Sequence, residues 1–216
     1  RPTSALIGNI DGGTGSDTLT LDYSSIDVSI DTDVYLDMGT PSTSTRTLPN
    51  TGTYQYLSAT LHNYDSTTYG QSLSITDFEQ LIITGTGRGD DIHGGAGNDT
   101  LNGGAGNDVI TGHGGLDNID GGDGFDSFGG LDFSSATQSV SMAESSDGSI
   151  SVSLGDAPSS IRSIESFGSI MTGSAADSII LPAMSLGFYG WGSSLQSTFG
   201  SPISIDLGAG DDTLRP

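Results

Sequence analysis

The feature that most constrains the fold of this chain is a period of nine residues between Gly85 and Gly130. Each unit places an aspartate at its sixth position and a large apolar residue at its eighth. A unit this short cannot bury its apolar residue alone, so the period predicts a stack of repeating layers. The units are Gly85–His93, Gly94–Asn102, Gly103–Thr111, Gly112–Asp120 and Gly121–Gly129.

The residue types within a unit indicate a calcium-binding turn followed by a short strand. Glycine allows the positive φ angles of tight turns and a close approach of the backbone to an ion. Aspartate supplies a charged oxygen, the hard ligand that calcium prefers. Two units then form one 18-residue turn of a flattened solenoid, all-β and parallel, with calcium along each edge. The aspartates are Asp90, Asp99, Asp108, Asp117 and Asp126, and the apolar residues are Ile92, Leu101, Ile110, Ile119 and Phe128.

Three units, GGAGNDTLN, GGAGNDVIT and GGDGFDSFG, match the form G-G-x-G-x-D-x-U-x in full, with U a large apolar residue. These units resemble the RTX repeats of proteins exported by type I secretion systems. The resemblance implies a parallel β-roll whose ions lie between turns on the same edge. It places Asp90, Asp108 and Asp126 on one edge and Asp99 and Asp117 on the other. That arrangement implies about two inter-turn ions on the first edge and one on the second.

Two of the five units depart from the repeat. Gly112–Asp120 has His113 at its second position and Leu116 at its fifth, which predicts a weaker calcium site. Gly85–His93 has Arg88 in place of the third glycine, which favours a role as a cap.

Isolated copies of the unit occur outside the array, at Gly12–Thr20, at Leu207–Arg215 and, in degenerate form, at Thr172–Ile180. A solvated acidic turn is the alternative for these copies, because a lone turn lacks an obvious stacking mate in the sequence. The full set of predicted calcium-binding residues is Gly13, Gly15, Asp17, Asp90, Gly95, Gly97, Asp99, Gly104, Gly106, Asp108, Asp117, Gly122, Gly124, Asp126, Asp177, Gly208, Gly210 and Asp212.

A longer repeat predicts three segments, 1–84, 85–130 and 131–216. GGTGSDTLTLDYSS is echoed by GGDGFDSFGGLDFSS, and each copy later reaches a similar bridge, SITDFEQ or SIRSIES. Alternating residues after each copy, such as ISVSLGD, predict half-buried strands. The region Thr40–Tyr69 is expected to be a surface loop or hairpin. The aromatic cluster around Trp191 either packs over an open end of the solenoid or binds a sugar ring or a neighbouring subunit.

The charge of the chain limits the classes of molecule that it can bind. It has 27 acidic residues against 5 basic ones, a net charge of -22. Such a polyanion repels nucleic acid and anionic membranes, and divalent cations are its natural partner. No apolar stretch is long enough to span a bilayer, so membrane insertion is not expected. Cysteine is absent, which fits a secreted protein that uses metal instead of disulfides but does not decide the compartment.

Two functions compete at this point, and neither is enzymatic. No H-E-x-x-H or G-x-S-x-G motif occurs, and His62, His93 and His113 share no zinc or iron spacing. The first function is an extracellular structural segment: a scaffold, adhesin stalk, surface layer or filament subunit, with copies of itself as possible partners. Arg-Pro at both ends suggests one period of a tandem array cut from a longer chain. The second is a secretion and folding module of an exported hydrolase or toxin.

Overall fold

Every regular element that the structure describes is a β-strand. The computed structural model describes residues 8–25, 34–38, 42–46, 52–63, 71–181, 189–190, 195–196 and 202–215, with side chains at 10–25, 73–181 and 204–215. The cluster around Trp191 and both Arg-Pro junctions fall outside these residues in whole or in part. Within the described ranges, no helix has the length and apolar character needed to cross a bilayer.

The strands, numbered β1 to β22 along the chain, form two large sheets and one small one. The first sheet has the spatial order β1 (Gly8–Asp11), β6 (Gln71–Thr76), β5 (Gly52–Asn63), β3 (Val34–Met38), β8 (Asp91–His93), β10 (Val109–Thr111), β12 (Ser127–Asp132), β16 (Ser166–Met171) and β21 (Ile205–Asp206), with β4 (Ser42–Arg46) paired to β5. The second has the order β2 (Thr18–Asp22), β7 (Gln80–Thr84), β9 (Thr100–Ala105), β11 (Asn118–Asp123), β15 (Ala157–Arg162), β14 (Ile150–Leu154), β13 (Val140–Glu144), β17 (Ser178–Ile180) and β22 (Thr213–Arg215). The small sheet contains β18 (Tyr189–Gly190), β19 (Leu195–Gln196) and β20 (Pro202–Ile203).

Successive nonapeptides alternate between the two large sheets. Ile110 of β10 pairs in parallel with Ile92 of β8 on one side and with Phe128 of β12 on the other. Leu101 of β9 pairs with Ile119 of β11 in the opposite sheet. Stacked residues are therefore 18 apart in sequence, as hydrogen bonds across the layers also show. Alternate units supply strands to two parallel sheets, and this arrangement is consistent with a β-roll.

A single apolar core lies between the sheets. The eighth-position residues Ile92, Leu101 and Ile110 are 0% exposed, and Ile119 and Phe128 are 2% exposed. Phe128 meets Phe167 of β16 edge to face, with ring centroids 5.2 Å apart. The same core continues through Ile161, Ile170 and Ile179 of the C-terminal segment. The prediction that the eighth residue of each unit faces the core is confirmed.

The linking segments add antiparallel strand pairs to the parallel sheets. β13 and β15 each pair antiparallel with β14, and β3, β4 and β6 each pair antiparallel with β5. The cause is local, because short turns join neighbouring strands in antiparallel pairs. Between β13 and β14, Gly148 has a φ of 85° and Asp147 Oδ1 accepts a 2.7 Å hydrogen bond from the Ser149 hydroxyl. ISVSLGD contains the expected strand β14, and the region 40–69 contains the β4–β5 hairpin.

Candidate calcium sites

In the unit Gly121–Gly129 the second and fourth positions need glycine because stacked turns touch backbone to backbone. Gly122 has a φ of 101° and Gly124 a φ of 144°, conformations that side chains rarely adopt. A Cβ on either residue would also overlap a carbonyl oxygen of the preceding layer, that of Gly104 or Gly106. The glycines therefore set the spacing at which the turns stack, and the carbonyl groups of one turn face the next.

The first edge carries a ladder of stacked carboxylates. The Asp90 N–H donates to Asp108 Oδ1 over 2.7 Å, and the Asp108 N–H donates to Asp126 Oδ1 over 2.8 Å. The three side chains are 2%, 1% and 0% exposed. The structure thus brings together the three aspartates that the RTX resemblance assigned to one edge.

The second edge is built in the same way, despite its departures from the repeat. The Asp99 N–H donates to Asp117 Oδ1 over 2.9 Å, and the Leu81 N–H donates to Asp99 Oδ1 over 2.7 Å. His113 adopts the φ of 72° that a glycine would otherwise supply. Leu116 is 6% exposed, so its apolar side chain is absorbed by the core. The ladder on this edge is continuous, and the weaker site expected there stays a prediction.

One oxygen of several ladder carboxylates is left for another partner. Oδ2 of Asp17, Asp108, Asp126 and Asp177 is buried and has no hydrogen-bond partner within the described part of the chain. A buried polar atom of this kind costs free energy and calls for an explanation such as a bound ion. In the first two units of the array the second oxygen is instead satisfied, because the Thr86 N–H donates to Asp90 Oδ2 over 2.5 Å and the Gly95 N–H donates to Asp99 Oδ2 over 2.6 Å. The role of the first unit as a cap stays a prediction.

The surroundings of these oxygens fit calcium. A Cβ on Gly103 would overlap Asp108 Oδ2 and would lie 2.5 Å from the carbonyl oxygen of Gly121 in the next layer. A carboxylate oxygen and a carbonyl oxygen from two layers therefore approach the same point beside the first glycine of the unit. Both are the hard oxygen ligands that calcium takes. The residues that would hold calcium are the ladder aspartates, with main-chain carbonyls of adjacent turns.

The ladder is electrostatically unfavourable without a cation. The pKa of Asp108 is raised to about 7, mainly by burial and also by the neighbouring charges of Asp90 and Asp126, while the Asp90 N–H opposes the shift. Burial likewise raises the pKa of Asp117 to about 7. Burial also raises the pKa of Asp99 and that of Asp126. A cation at the ladder would favour the ionised carboxylates again.

These shifts predict that acid stabilises the calcium-free fold. An unfolded aspartate has a pKa of about 3.9, whereas folded Asp108 and Asp117 have values of about 7. The folded state therefore binds more protons between these values, and its stability falls as the pH rises through that window. We expect more β-structure by circular dichroism at about pH 5 than at about pH 8 in chelator. A calcium-free fold that gains stability as pH rises from 5 to 8 would contradict this prediction.

The isolated units have stacking mates, which corrects the view of them as lone turns. The Asp177 N–H donates to Asp212 Oδ1 over 3.0 Å, and the Val140 N–H donates to Asp177 Oδ1 over 2.7 Å. The Asp17 N–H donates to Glu79 Oε2 over 2.7 Å. Gly208 and Gly210 approach the carbonyls of the Thr172–Ile180 unit as closely as glycines do within the array. Sequence reasoning missed these pairs because their separations of 35 and 62 residues follow no period.

Sequence reasoning also missed two glutamates. Glu79 meets Asp17, and Glu165 Oε2 accepts a 2.7 Å hydrogen bond from the Asp126 N–H. Each occupies the place in the ladder that an aspartate holds between nonapeptides. The echo between SITDFEQ and SIRSIES was the available signal, since both glutamates occur at the same place in it.

The histidines meet without forming a larger cluster. His93 Nδ1 lies 2.8 Å from His113 Nε2, and the two rings stack with centroids 5.0 Å apart. The side chain of His62 lies outside the described residues. Where side chains are described, no group of three or more His, Cys, Asp or Glu residues is placed to hold a metal. Calcium at the ladder would therefore depend on carbonyl oxygens as well as carboxylates.

Comparison with known families identifies the array. The family model of the RTX calcium-binding nonapeptide repeat matches in four copies, over residues 84–117 and 93–128. No curated protein matches the chain. The matched residues contain the ladders of both edges, from Asp90 to Asp126. Residues 84–128 of this chain are RTX calcium-binding nonapeptide repeats.

Proposed function

We propose that this chain is an extracellular, non-catalytic structural segment that folds into a β-roll solenoid when it binds calcium after export. The observation that carries the proposal is the ladder of buried carboxylates, in which Oδ2 of Asp17, Asp108, Asp126 and Asp177 has no hydrogen-bond partner among the described residues. The RTX match over residues 84–128 supports calcium as the cation and an exported protein as its source.

The energetics of the ladder link calcium to folding. Neighbouring layers of a sheet are about 4.8 Å apart, so ionised carboxylates stacked layer on layer repel by roughly 3 kcal/mol per pair at an effective dielectric constant of about 20. Oδ1 of Asp108, Asp117 and Asp126 each accepts an N–H of the adjacent layer and so holds the layers in register. Oδ2 of Asp108 and of Asp126, with the nearby carbonyls, is left to face the cation. Bound calcium supplies the positive charge that offsets the repulsion.

This coupling suits a protein that must be exported unfolded. Calcium sites of extracellular modules have dissociation constants of about 10⁻⁴–10⁻³ M, far above cytosolic calcium. Binding free energy becomes folding free energy where the site does not exist in the unfolded chain. The chain would thus remain unfolded before export and close outside the cell.

A structural role is favoured over a module that only assists the folding of an attached enzyme. Both large sheets contain strands from all three segments, so the layers run through the linking regions as well as the repeats. The two outermost described layers also carry the same turn: Asp11 Oδ1 accepts the Gly13 N–H over 3.1 Å, and Asp206 Oδ1 accepts the Gly208 N–H over 3.0 Å. Turns of the same type in these two layers favour head-to-tail stacking of copies.

Sedimentation velocity across a calcium titration tests the structural role. We expect calcium to give a more compact species and, as protein concentration rises, larger species that chelator reverses. A calcium-loaded chain that remains a monomer at every concentration would count against the scaffold. That outcome would favour the folding module of an exported hydrolase or toxin.

A further inference from the structure

Two short turns in this protein replace the six-residue calcium turn of a nonapeptide. Asp11 and Thr18 flank the turn at residues 12–17, and their register partners Thr76 and Gln80 flank only residues 77–79. Asp120 and Ser127 flank residues 121–126 in the same way, and their partners Arg162 and Ser166 flank only residues 163–165. In both places a three-residue turn spans the same distance between the two large sheets as a six-residue calcium turn.

Each short turn is bonded to its calcium turn in the same way. The N–H groups of Glu165 and Ser166 both donate to the Asp126 carbonyl, over 3.0 and 2.9 Å, and the Asp126 N–H donates to Glu165 Oε2 over 2.7 Å. The N–H groups of Glu79 and Gln80 both donate to the Asp17 carbonyl over 3.2 Å. The Asp17 N–H donates to Glu79 Oε2 over 2.7 Å.

The backbone of the short turns points a carbonyl at the calcium turn. Asp77 has a φ of 58° and Ser163 a φ of 55°, left-handed conformations that are uncommon for residues other than glycine. A Cβ on Gly121 would overlap the Ser163 carbonyl oxygen and lie 2.6 Å from Asp126 Oδ2. A Cβ on Gly12 would overlap the Asp77 carbonyl oxygen. The strained residue thus delivers a carbonyl to the place where the next nonapeptide would supply one.

The aspartate that faces each short turn has one carboxylate oxygen without a hydrogen-bond partner among the described residues. Asp126 is 0% exposed, and its Oδ2, like that of Asp17, is buried without a hydrogen-bond partner among the described residues. The length of the side chain explains why glutamate occurs here in place of aspartate. The turn is three residues shorter than a calcium turn, and the glutamate side chain is one methylene longer than that of aspartate. Two copies with the same bonds indicate a construction that serves a ligand.

We propose that Glu79 and Glu165 are calcium ligands in two junction sites, where a three-residue turn closes the calcium turn of Asp17 or Asp126. Each site takes one hard divalent cation among the glutamate carboxylate, the aspartate Oδ2 and the carbonyl of Asp77 or Ser163. The proposal rests on the calcium-dependent function above and extends it to residues outside the nonapeptide consensus. The junctions complete the outermost sites where a calcium array meets a linking segment.

Calcium stoichiometry and affinity in Glu79→Gln and Glu165→Gln test the proposal. Glutamine keeps an oxygen that can accept the Asp17 or Asp126 N–H, so the variants remove the charge and leave the hydrogen bond. The third glutamate, Glu144, is exposed on β13, and Glu144→Gln is the matched control. By native mass spectrometry and calorimetry, each junction variant is expected to lose one ion or weaken one site by about tenfold. Glu144→Gln is expected to match the wild type.

The outcomes separate this proposal from the proposed function. Wild-type protein that binds no calcium overturns the proposed function and the junction sites with it. Wild type that binds calcium, with unchanged stoichiometry and affinity in both junction variants, overturns the junction sites alone.

Glu165→Asp retains the charge on a shorter side chain and is expected to weaken its site as well. Full binding by Glu165→Asp would mean that the charge matters and the reach of the ligand does not. The two junctions are separate in the structure. If the variant at one junction fails to fold, calcium binding by the variant at the other junction still tests the proposal.

Discussion

Chelation of calcium at about pH 7.5 is expected to unfold this chain cooperatively. Burial raises the pKa of Asp108 and of Asp117 to about 7, so these carboxylates are largely ionised at this pH. Each then repels the ionised neighbours on its own edge, Asp90 and Asp126 beside Asp108 and Asp99 beside Asp117. A 216-residue chain has a radius of gyration near 17 Å when compact and near 50 Å when unfolded. We expect size-exclusion chromatography with scattering to show a large expansion in chelator, and circular dichroism to show loss of the β signal.

Magnesium is the matched control for this experiment. It carries the same charge but demands near-ideal octahedral geometry and loses its water reluctantly. Sites built from the carbonyls and carboxylates of stacked turns are therefore expected to refold the chain with calcium but only weakly with magnesium. A chain that keeps its β-structure and radius in chelator would show that the ladder does not organise the fold.

Asp108→Asn is expected to have the largest effect of any single substitution in the ladder. Asp108 lies between Asp90 and Asp126, and its Oδ2 is buried without a hydrogen-bond partner among the described residues. The substitution removes a ligand from the sites on both sides of this layer. We expect the calcium concentration at half-folding to rise by about tenfold or more, where each factor of ten corresponds to about 1.4 kcal/mol.

The same substitution should act in the opposite sense without calcium. Asparagine removes one charge from the repelling stack, so the calcium-free fold is expected to gain stability at about pH 8 while calcium affinity falls. Asp156→Asn, in the exposed turn between β14 and β15, is the control and is expected to change neither quantity. Equal calcium midpoints for Asp108→Asn and Asp156→Asn would exclude Asp108 as a ligand.

The repeat array could be predicted from sequence because its chemistry is periodic. The nine-residue period assigned Ile110 to the core, and the RTX resemblance placed Asp90, Asp108 and Asp126 on one edge; both assignments agree with the structure. In this region neighbours in space are a constant distance apart along the chain. A regular pattern of glycine, aspartate and apolar residues then carries nearly all the information that the fold requires.

The junctions could not be predicted in this way, because there the contacts depend on loop length. Asp126 and Glu165 are 39 residues apart, and Asp17 and Glu79 are 62 apart, since linking strands of different size are inserted between them. Antiparallel pairing of β13 and β14 depends on one short turn rather than on the repeat.

The direction of the ladder hydrogen bonds gives the whole stack a polarity. From Asp17 to Asp212, the N–H comes from the layer nearer the N-terminus and the carboxylate from the layer nearer the C-terminus. A further layer at one end must therefore bring an acceptor, and one at the other end must bring a donor. Two copies that continued the ladder would join by a heterologous contact, which leaves the same two unlike faces open at the ends. Such growth would give an open filament, or a ring where the rotation between copies closes, and not a two-fold dimer.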